Sequence, residues 1–152
     1  MADSKTRLSG NHSQVVDQKH RVVIPARFRE VLGDHVKVGV YPLEDFFVLT
    51  VCSPAIYAER MEALEKRAEN DPKLDSAITI LEGTTQELDL DDQGRVTLTA
   101  ELKAKAGIER DVVVIGRGNY LQIWTQGRWE DFQKKAFETP GGMRESIFRR
   151  SQ

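Results

Sequence analysis

The stretch Val15–Gly33, "VVDQKHRVVIPARFREVLG", returns 74 positions later as Asp89–Gly107, "DLDDQGRVTLTAELKAKAG". Laid over each other, Asp17 meets Asp91, Arg21 meets Arg95, Val22 meets Val96, Phe28 meets Leu102 and Gly33 meets Gly107. Each copy reads as a strand, a polar turn, a second strand and a short helix. In "PARFREVLG", Pro25 suits the first helical position, and Phe28, Val31 and Leu32 form a one-sided apolar stripe at i, i+3 and i+4. Gly33 is suited to ending that helix in the left-handed region. In the second copy Thr97 or Thr99 supplies the cap of "AELKAKAG".

Outward from each copy the order of elements repeats. "HVKVGVY" and "FFVLTVC" read as strands around the turn "PLED", and "VVVIG" and "YLQIW" as strands around "RGN". Between the halves, Ser53-Pro54 and Asp71-Pro72 each join a capping side chain to a proline and so start two helices. Tyr57, Met61, Leu64 and Ala68 line the first helix; Leu74, Ala77, Ile78 and Leu81 line the second. "GRWEDFQKKAFE" closes the second half as a helix with Trp129, Phe132, Ala136 and Phe137 on one face. Trp124 and Trp129 read as core residues. "TPGG" breaks that helix and leaves a basic, mobile tail. Two copies are too few for a solenoid, so they are expected to pack on each other about a pseudo-twofold axis.

At 152 residues the chain fits one ordinary domain or two small halves with a common core. Hydrophobic residues make up 39% and charged residues 30%, a globular composition, and no apolar run approaches the roughly 20 residues of a membrane helix. The start "MADSKTRLSGNHS" has no apolar signal region, and the single Cys52 suits a reducing compartment, so a cytoplasmic location is expected. The net charge of −2 hides a segregation. Residues 1–30 carry six Lys/Arg against three acids, residues 31–92 five against fourteen, and residues 93–152 eleven against seven. Both basic segments hold a copy of the echo. Local potential, not net charge, governs nucleic-acid binding.

The paired features carry the functional expectation. Each loop has an aspartate, three intervening residues and an arginine at the mouth of a strand. A guanidinium is planar, permanently charged and forked, suited to phosphate oxygens or the O6/N7 edge of guanine. An aspartate four residues earlier can accept turn N–H groups and steady the arginine stem. In the bland reading these are only intra-turn ion pairs worth about 0–1 kcal/mol, but two exposed turns rarely need the same arginine for stability. Lys19 and His20 add donors in the first loop; Gln93 and Gly94 make a shorter tip in the second. Arg27 and Arg29 could reach phosphate from the short helix, although surface helices routinely carry such residues. His12, His20, His35 and Cys52 lack metal-ligand spacing, "GRGNYL" lies inside a hairpin and so is no phosphate loop, and no nucleophile–base set converges. Neither a metal, a cofactor nor an enzymatic activity is expected.

With "VDQKHRVVIPARFREVLG", "YPLEDF", "DLDDQGRVTLTAELKAKAGI", "VVVIGRGNYLQIW" and "RWEDF" in this order from about Gly10 to Phe137, the chain resembles the MraZ family, whose members carry two tandem SpoVT-AbrB-type units. The resemblance implies an α+β fold: two swapped-hairpin units forming one pseudo-twofold β-barrel core, with linking and C-terminal helices. On this chain it gives an N-terminal extension at 1–9, a first unit at 10–53, linking helices at 54–83, a second unit with the C-terminal helix at 84–137 and a basic flexible tail at 138–152. It implies a sequence-specific, nucleoid-associated transcriptional regulator of the division and cell-wall gene cluster, its own promoter included. The partners implied are double-stranded DNA with short repeated boxes upstream of its own operon, and a ring of its own copies. Arg21 and Arg95 would face DNA, assisted by Lys19 and His20, with Asp17 and Asp91 shaping the loops. Several departures matter. His20 stands where a glycine is usual, which predicts a first turn of different shape, and Thr99 or its neighbour replaces the usual proline after the second strand. The helix "PKLDSAITILEG" lacks the arginines expected in the family, leaving phosphate contacts to the loops and termini. The alternatives are an AbrB- or MazE-like regulator or antitoxin and, in another class, a ring-forming protein-interaction scaffold.

Overall fold

The computed structural model describes residues 6–139 and 141–149. In the first half β1 (Asn11–Val15) and β2 (Arg21–Val23) flank the polar loop, followed by α1 (Ala26–Leu32), β3 (His35–Leu43) and β4 (Phe46–Cys52). Two linking helices follow, α2 (Pro54–Ala68) and α3 (Pro72–Thr84). The second half repeats the order with β5 (Gln86–Asp89), β6 (Arg95–Thr97), α4 (Ala100–Ala106), β7 (Asp111–Gly116), β8 (Leu121–Thr125) and α5 (Gln126–Glu138), and ends in α6 (Gly142–Phe148).

Local chemistry explains most boundaries. Ser53, Asp71, Thr99 and Thr125 each accept a backbone N–H three residues ahead, satisfying a donor that the first helical turn leaves free. Thr99, not Thr97, is therefore the cap of α4. Pro25 sits one residue earlier than expected, at the N-cap of α1, and makes no side-chain cap bond. Gly107 ends α4 in the left-handed region (φ 66°, ψ 26°), whereas Gly33 has a positive φ but an extended ψ (78°, −171°). The C-terminal stretch read from sequence as a basic, mobile tail contains α6, which begins after Gly141 at φ 87°. Its Met143, Ile147 and Phe148 are exposed, as is Phe137, which leaves the apolar face of α5 shorter than the sequence suggests.

Six strands form an antiparallel sheet in the order β1-β7-β8-β4-β3-β5, and β2 and β6 form a separate two-stranded ribbon. Each half's first strand pairs with the other half's hairpin: β1 lies on β7 with His12 opposite Val114, and β5 lies on β3 with Gln86 opposite Val38. The hairpins meet at the centre through β4 and β8, with Leu49 opposite Ile123. The ribbon crosses one face of the sheet, and its inward Val22 and Val96 are fully buried opposite each other. The main core draws its side chains from both halves in echoing pairs, among them Ile24 with Leu98 and Phe28 with Leu102. On the other face of the sheet, Trp129 and Phe132 of α5 pack on Trp124, Val113 and Ile115, while α2 and α3 close on each other around Met61, Ala68 and Ile78. Trp124 is buried, its Nε1 donating to the buried Gln122 Oε1 at 2.9 Å; Trp129 is only partly covered. No helix among the described residues is long and apolar enough to cross a membrane.

Candidate nucleic-acid interface

The two loops share one hydrogen-bond pattern. In the first, Asp17 Oδ1 accepts from the backbone N–H of Lys19 at 2.9 Å and of Arg21 at 2.8 Å, and Oδ2 accepts from Arg21 Nε at 2.7 Å. In the second, Asp91 Oδ1 accepts from the N–H groups of Gln93 and Arg95, both at 2.9 Å, and Oδ2 from Arg95 Nε at 2.7 Å. The aspartate thus closes the turn with one oxygen and anchors the arginine stem with the other. Among the described residues only the Nε edge of each guanidinium is engaged, which leaves its terminal fork for another partner. Exposure is also matched, at 25% for the Arg21 side chain and 24% for Arg95.

These contacts favour ionised carboxylates. The backbone N–H of Arg21 is the main cause that lowers the Asp17 pKa below its ordinary 3.8, helped by the Arg21 side chain and the Lys19 N–H; Arg95 and Gln93 act in the same way on Asp91. A lowered folded-state value means that the contacts stabilise the loops fully above the ordinary carboxylate range and lose that effect as pH falls through the lowered values. Carboxyl-carbon NMR titration is expected to give midpoints below 3.8 for both residues. A midpoint at or above that value in either would contradict the anchored geometry.

The β2–β6 register decides how the arginines sit relative to each other. Arg21 is opposite Thr97 and Val23 opposite Arg95, flanking the inward Val22–Val96 rung. Side chains alternate across a strand, so Arg21, Val23, Arg95 and Thr97 share the outer face of the ribbon. The arginines are diagonal neighbours there, about 7–8 Å apart at their Cβ atoms by sheet geometry. A two-stranded β-ribbon is narrow enough to enter a major groove.

The first turn does not differ in shape from the second. His20 adopts φ 65° and Gly94 φ 75°, at echoing positions, and the cross-loop bonds match: Ile24 N–H to Gly94 O at 2.9 Å and Leu98 N–H to His20 O at 2.8 Å. The two-way tie of each loop to the opposite strand holds histidine in a conformation that costs an L-residue about 1–2 kcal/mol.

Each tip also meets a basic side chain from the other half's short helix. The Arg29 guanidinium lies against Gly94, so close that a Cβ there would fall 2.5 Å from its Cζ, and Lys103 Nζ is 3.0 Å from His20 Nδ1. Arg29 was a candidate from sequence. Lys103 was missed, although it is the echo of Arg29 at the same 74-residue offset. Arg27 turns away, its Nη2 donating to Ser9 O at 2.7 Å and its guanidinium 5.0 Å from the Phe28 ring centroid. The loop region thus gathers Lys19, Arg21, Arg29, Arg95 and Lys103 against Asp17, Asp91 and Asp92, a local excess of positive charge. Gly94→Ala combines a disfavoured φ with a clash against Arg29, and is expected to lower stability by about 1–2 kcal/mol in urea unfolding. An unchanged midpoint would mean that Arg29 does not occupy that place in solution. Among the described residues no group of His, Cys, Asp and Glu could hold a metal ion.

A family model described as "MraZ protein, putative antitoxin-like" matches residues 81–141. A protein of Desulfitobacterium hafniense (strain Y51) named Transcriptional regulator MraZ is 31% identical over 147 residues, spanning 91% of this chain and 94% of that one. One of the same name from Natranaerobius thermophilus is 33% identical over 135 residues, 84% of this chain and 87% of that one. The solution structure of PHS018 from Pyrococcus horikoshii is a remote neighbour, 15% identical over 78% of this chain and 88% of that chain, at a TM-score of 0.34. At 31% identity over 91% of its length and 33% over 84%, the chain belongs to the MraZ family.

Proposed function

We propose that this chain is a non-enzymatic, sequence-specific DNA-binding transcriptional regulator that reads duplex DNA with its β2–β6 ribbon. The observation that carries the reading is the pair of aspartate-anchored arginines on one exposed ribbon face. Arg21 and Arg95 contact base edges or phosphates, Lys19 and His20 assist from the first tip, and Asp17 and Asp91 shape the loops without touching DNA, since phosphate repels a carboxylate. The names of the relatives agree with this role.

The exchange of β1 and β5 between the hairpins supports reading residues 10–53 and 84–137 as two tandem SpoVT-AbrB-like swapped-hairpin units, with the ribbon completing a barrel-like core and residues 54–83 linking them. One ribbon contacts few phosphates, and affinity for short repeated boxes comes from several ribbons in a ring-shaped homo-oligomer. Boxes about 34–36 Å apart would present the same side of the duplex to successive protomers. The targets proposed are the division and cell-wall gene cluster and the chain's own promoter, with the protein cytoplasmic and nucleoid-associated. The family description's wording favours a second reading, an AbrB- or MazE-like antitoxin; a toxin gene beside this one would favour it over the first.

The test is fluorescence anisotropy with DNA from upstream of the chain's own gene against a scrambled duplex, across a salt series. Preference for the native duplex is expected, with log affinity falling by about 0.9 per phosphate contacted for each decade of salt. Equal binding to both duplexes would reduce the protein to a nonspecific architectural role, and no binding at low salt would leave the scaffold reading.

A further inference from the structure

The two halves differ on the sheet face away from the ribbon. Gln86 of β5 is the echo of His12 of β1, so their partners Val38 and Val114 mark equivalent positions on β3 and β7. In the second half the outward rungs are Val113 opposite Trp124 and Ile115 opposite Gln122; in the first half they are Lys37 opposite Cys52 and Gly39 opposite Thr50. The helices that follow start at equivalent caps, Ser53 and Thr125, so Trp129 and Phe132 of α5 correspond to Tyr57 and Arg60 of α2. In the second half bulky apolar groups close the space into a small core, with Phe132 4.9 Å and Trp129 5.3 Å from the Trp124 ring. In the first half shorter and polar groups leave a cavity of about 230 Å³ between β3, β4 and the α2–α3 pair.

The charge around this cavity opposes that of its surroundings. Residues 31–92 hold only five Lys/Arg among fourteen acids, yet three of the five, Lys37, Arg60 and Arg67, line the cavity, and no carboxylate does. Lys37 is paired with Glu87 outside the lining. Arg60 is held by stacking, its guanidinium 3.8 Å from the Tyr120 ring centroid, and among the described residues neither Arg60 nor Arg67 has an ion-pair partner. Apolar walls of Met61, Leu64 and Leu81 complete the chamber. A mostly apolar space with a few convergent charges is the general form of a small-molecule site, and this volume is below the roughly 300–1,000 Å³ of drug-sized pockets.

We propose that the cavity binds a small organic anion with an apolar body and a single carboxylate head, seated with its head toward Arg60 and Arg67. The site goes beyond DNA reading and does not depend on it. The test uses the full chain and a matched pair of probes, phenylbutyrate and phenylbutylamine, by isothermal titration with amide-shift mapping. Saturable binding of the acid at least tenfold tighter than the amine is expected, with shifts at Gly39, Thr50 and Thr85. Gly39→Ile, which installs the residue of the equivalent position Ile115, should abolish binding. Should that variant fail to fold, Arg67→Gln at an exposed site keeps the fold and is expected to lose several-fold in affinity for the acid alone. Absence of saturable binding, equal affinity for acid and amine, or shifts confined to other surfaces would overturn the proposal.

Discussion

Arg21→Ala combined with Arg95→Ala is expected to reduce affinity for the DNA upstream of the chain's own gene by a hundredfold or more, while assembly and melting temperature stay near those of the parent chain. A well-placed arginine–guanine contact discriminates by about 1–3 kcal/mol, roughly a factor of 5–150 each. Truncation also unmasks Asp17 and Asp91, whose carboxylates would then face phosphate without their cation, so loss beyond the two contacts is expected. Both side chains are partly exposed and lie outside the buried apolar core, which their truncation therefore spares. A third arm separates electrostatics from geometry: Arg→Lys at both positions retains the charge but loses the fork and the Nε anchor to aspartate. That variant should keep nonspecific binding at low salt and lose the preference over scrambled duplex. Retained preference in the double alanine variant, with fold and assembly intact, would remove the ribbon from the reading surface.

The second large effect concerns stability. Phe28 is fully buried in the core common to both halves, with the His12 ring edge-on at 5.2 Å and the Arg27 guanidinium beside it. Phe28→Ala removes most of its contacts and leaves a cavity, for a cost of about 3–5 kcal/mol. Native stabilities are typically about 5–15 kcal/mol, so the variant should melt roughly 6–20 °C lower. Because the exchanged strands and the β2–β6 ribbon tie the halves together, calorimetry should show one transition in parent and variant alike. Two separate transitions, or a loss under about 1 kcal/mol, would mean that the halves do not depend on a common core.

What was legible in the sequence was local. Asp17 and Arg21 lie four residues apart, as do Asp91 and Arg95, and the turn that joins each pair forms within a few residues of chain. The capping residues Ser53, Asp71 and Thr125, the two hairpins and the apolar stripes of the short helices follow the same principle. The 74-residue echo is the exception, a long-range regularity that implies a pseudo-twofold core without specifying any strand pairing. The misreadings were local too. Gly33 takes the positive φ that a helix end favours but not the left-handed ψ, and a histidine considered alone resists the positive φ that His20 adopts. The bonds that Leu98 N–H and Lys103 Nζ, about 80 residues away, donate to His20 outweigh that resistance.

The sequence by itself determined the elements from β1 to α5, their order and the two arginines paired with aspartates. Only the tertiary structure decided that β1 and β5 exchange partners, that Arg21 and Arg95 lie diagonally on one ribbon face, that Arg29 and Lys103 each support the opposite loop, and that one half keeps a cavity where the other is filled. Alternation along a strand specifies which face is buried but not which edge it meets, because every strand offers the same backbone donors and acceptors. The choice is made when apolar faces from both halves collapse together, and it sets side chains beside one another that no local pattern connects.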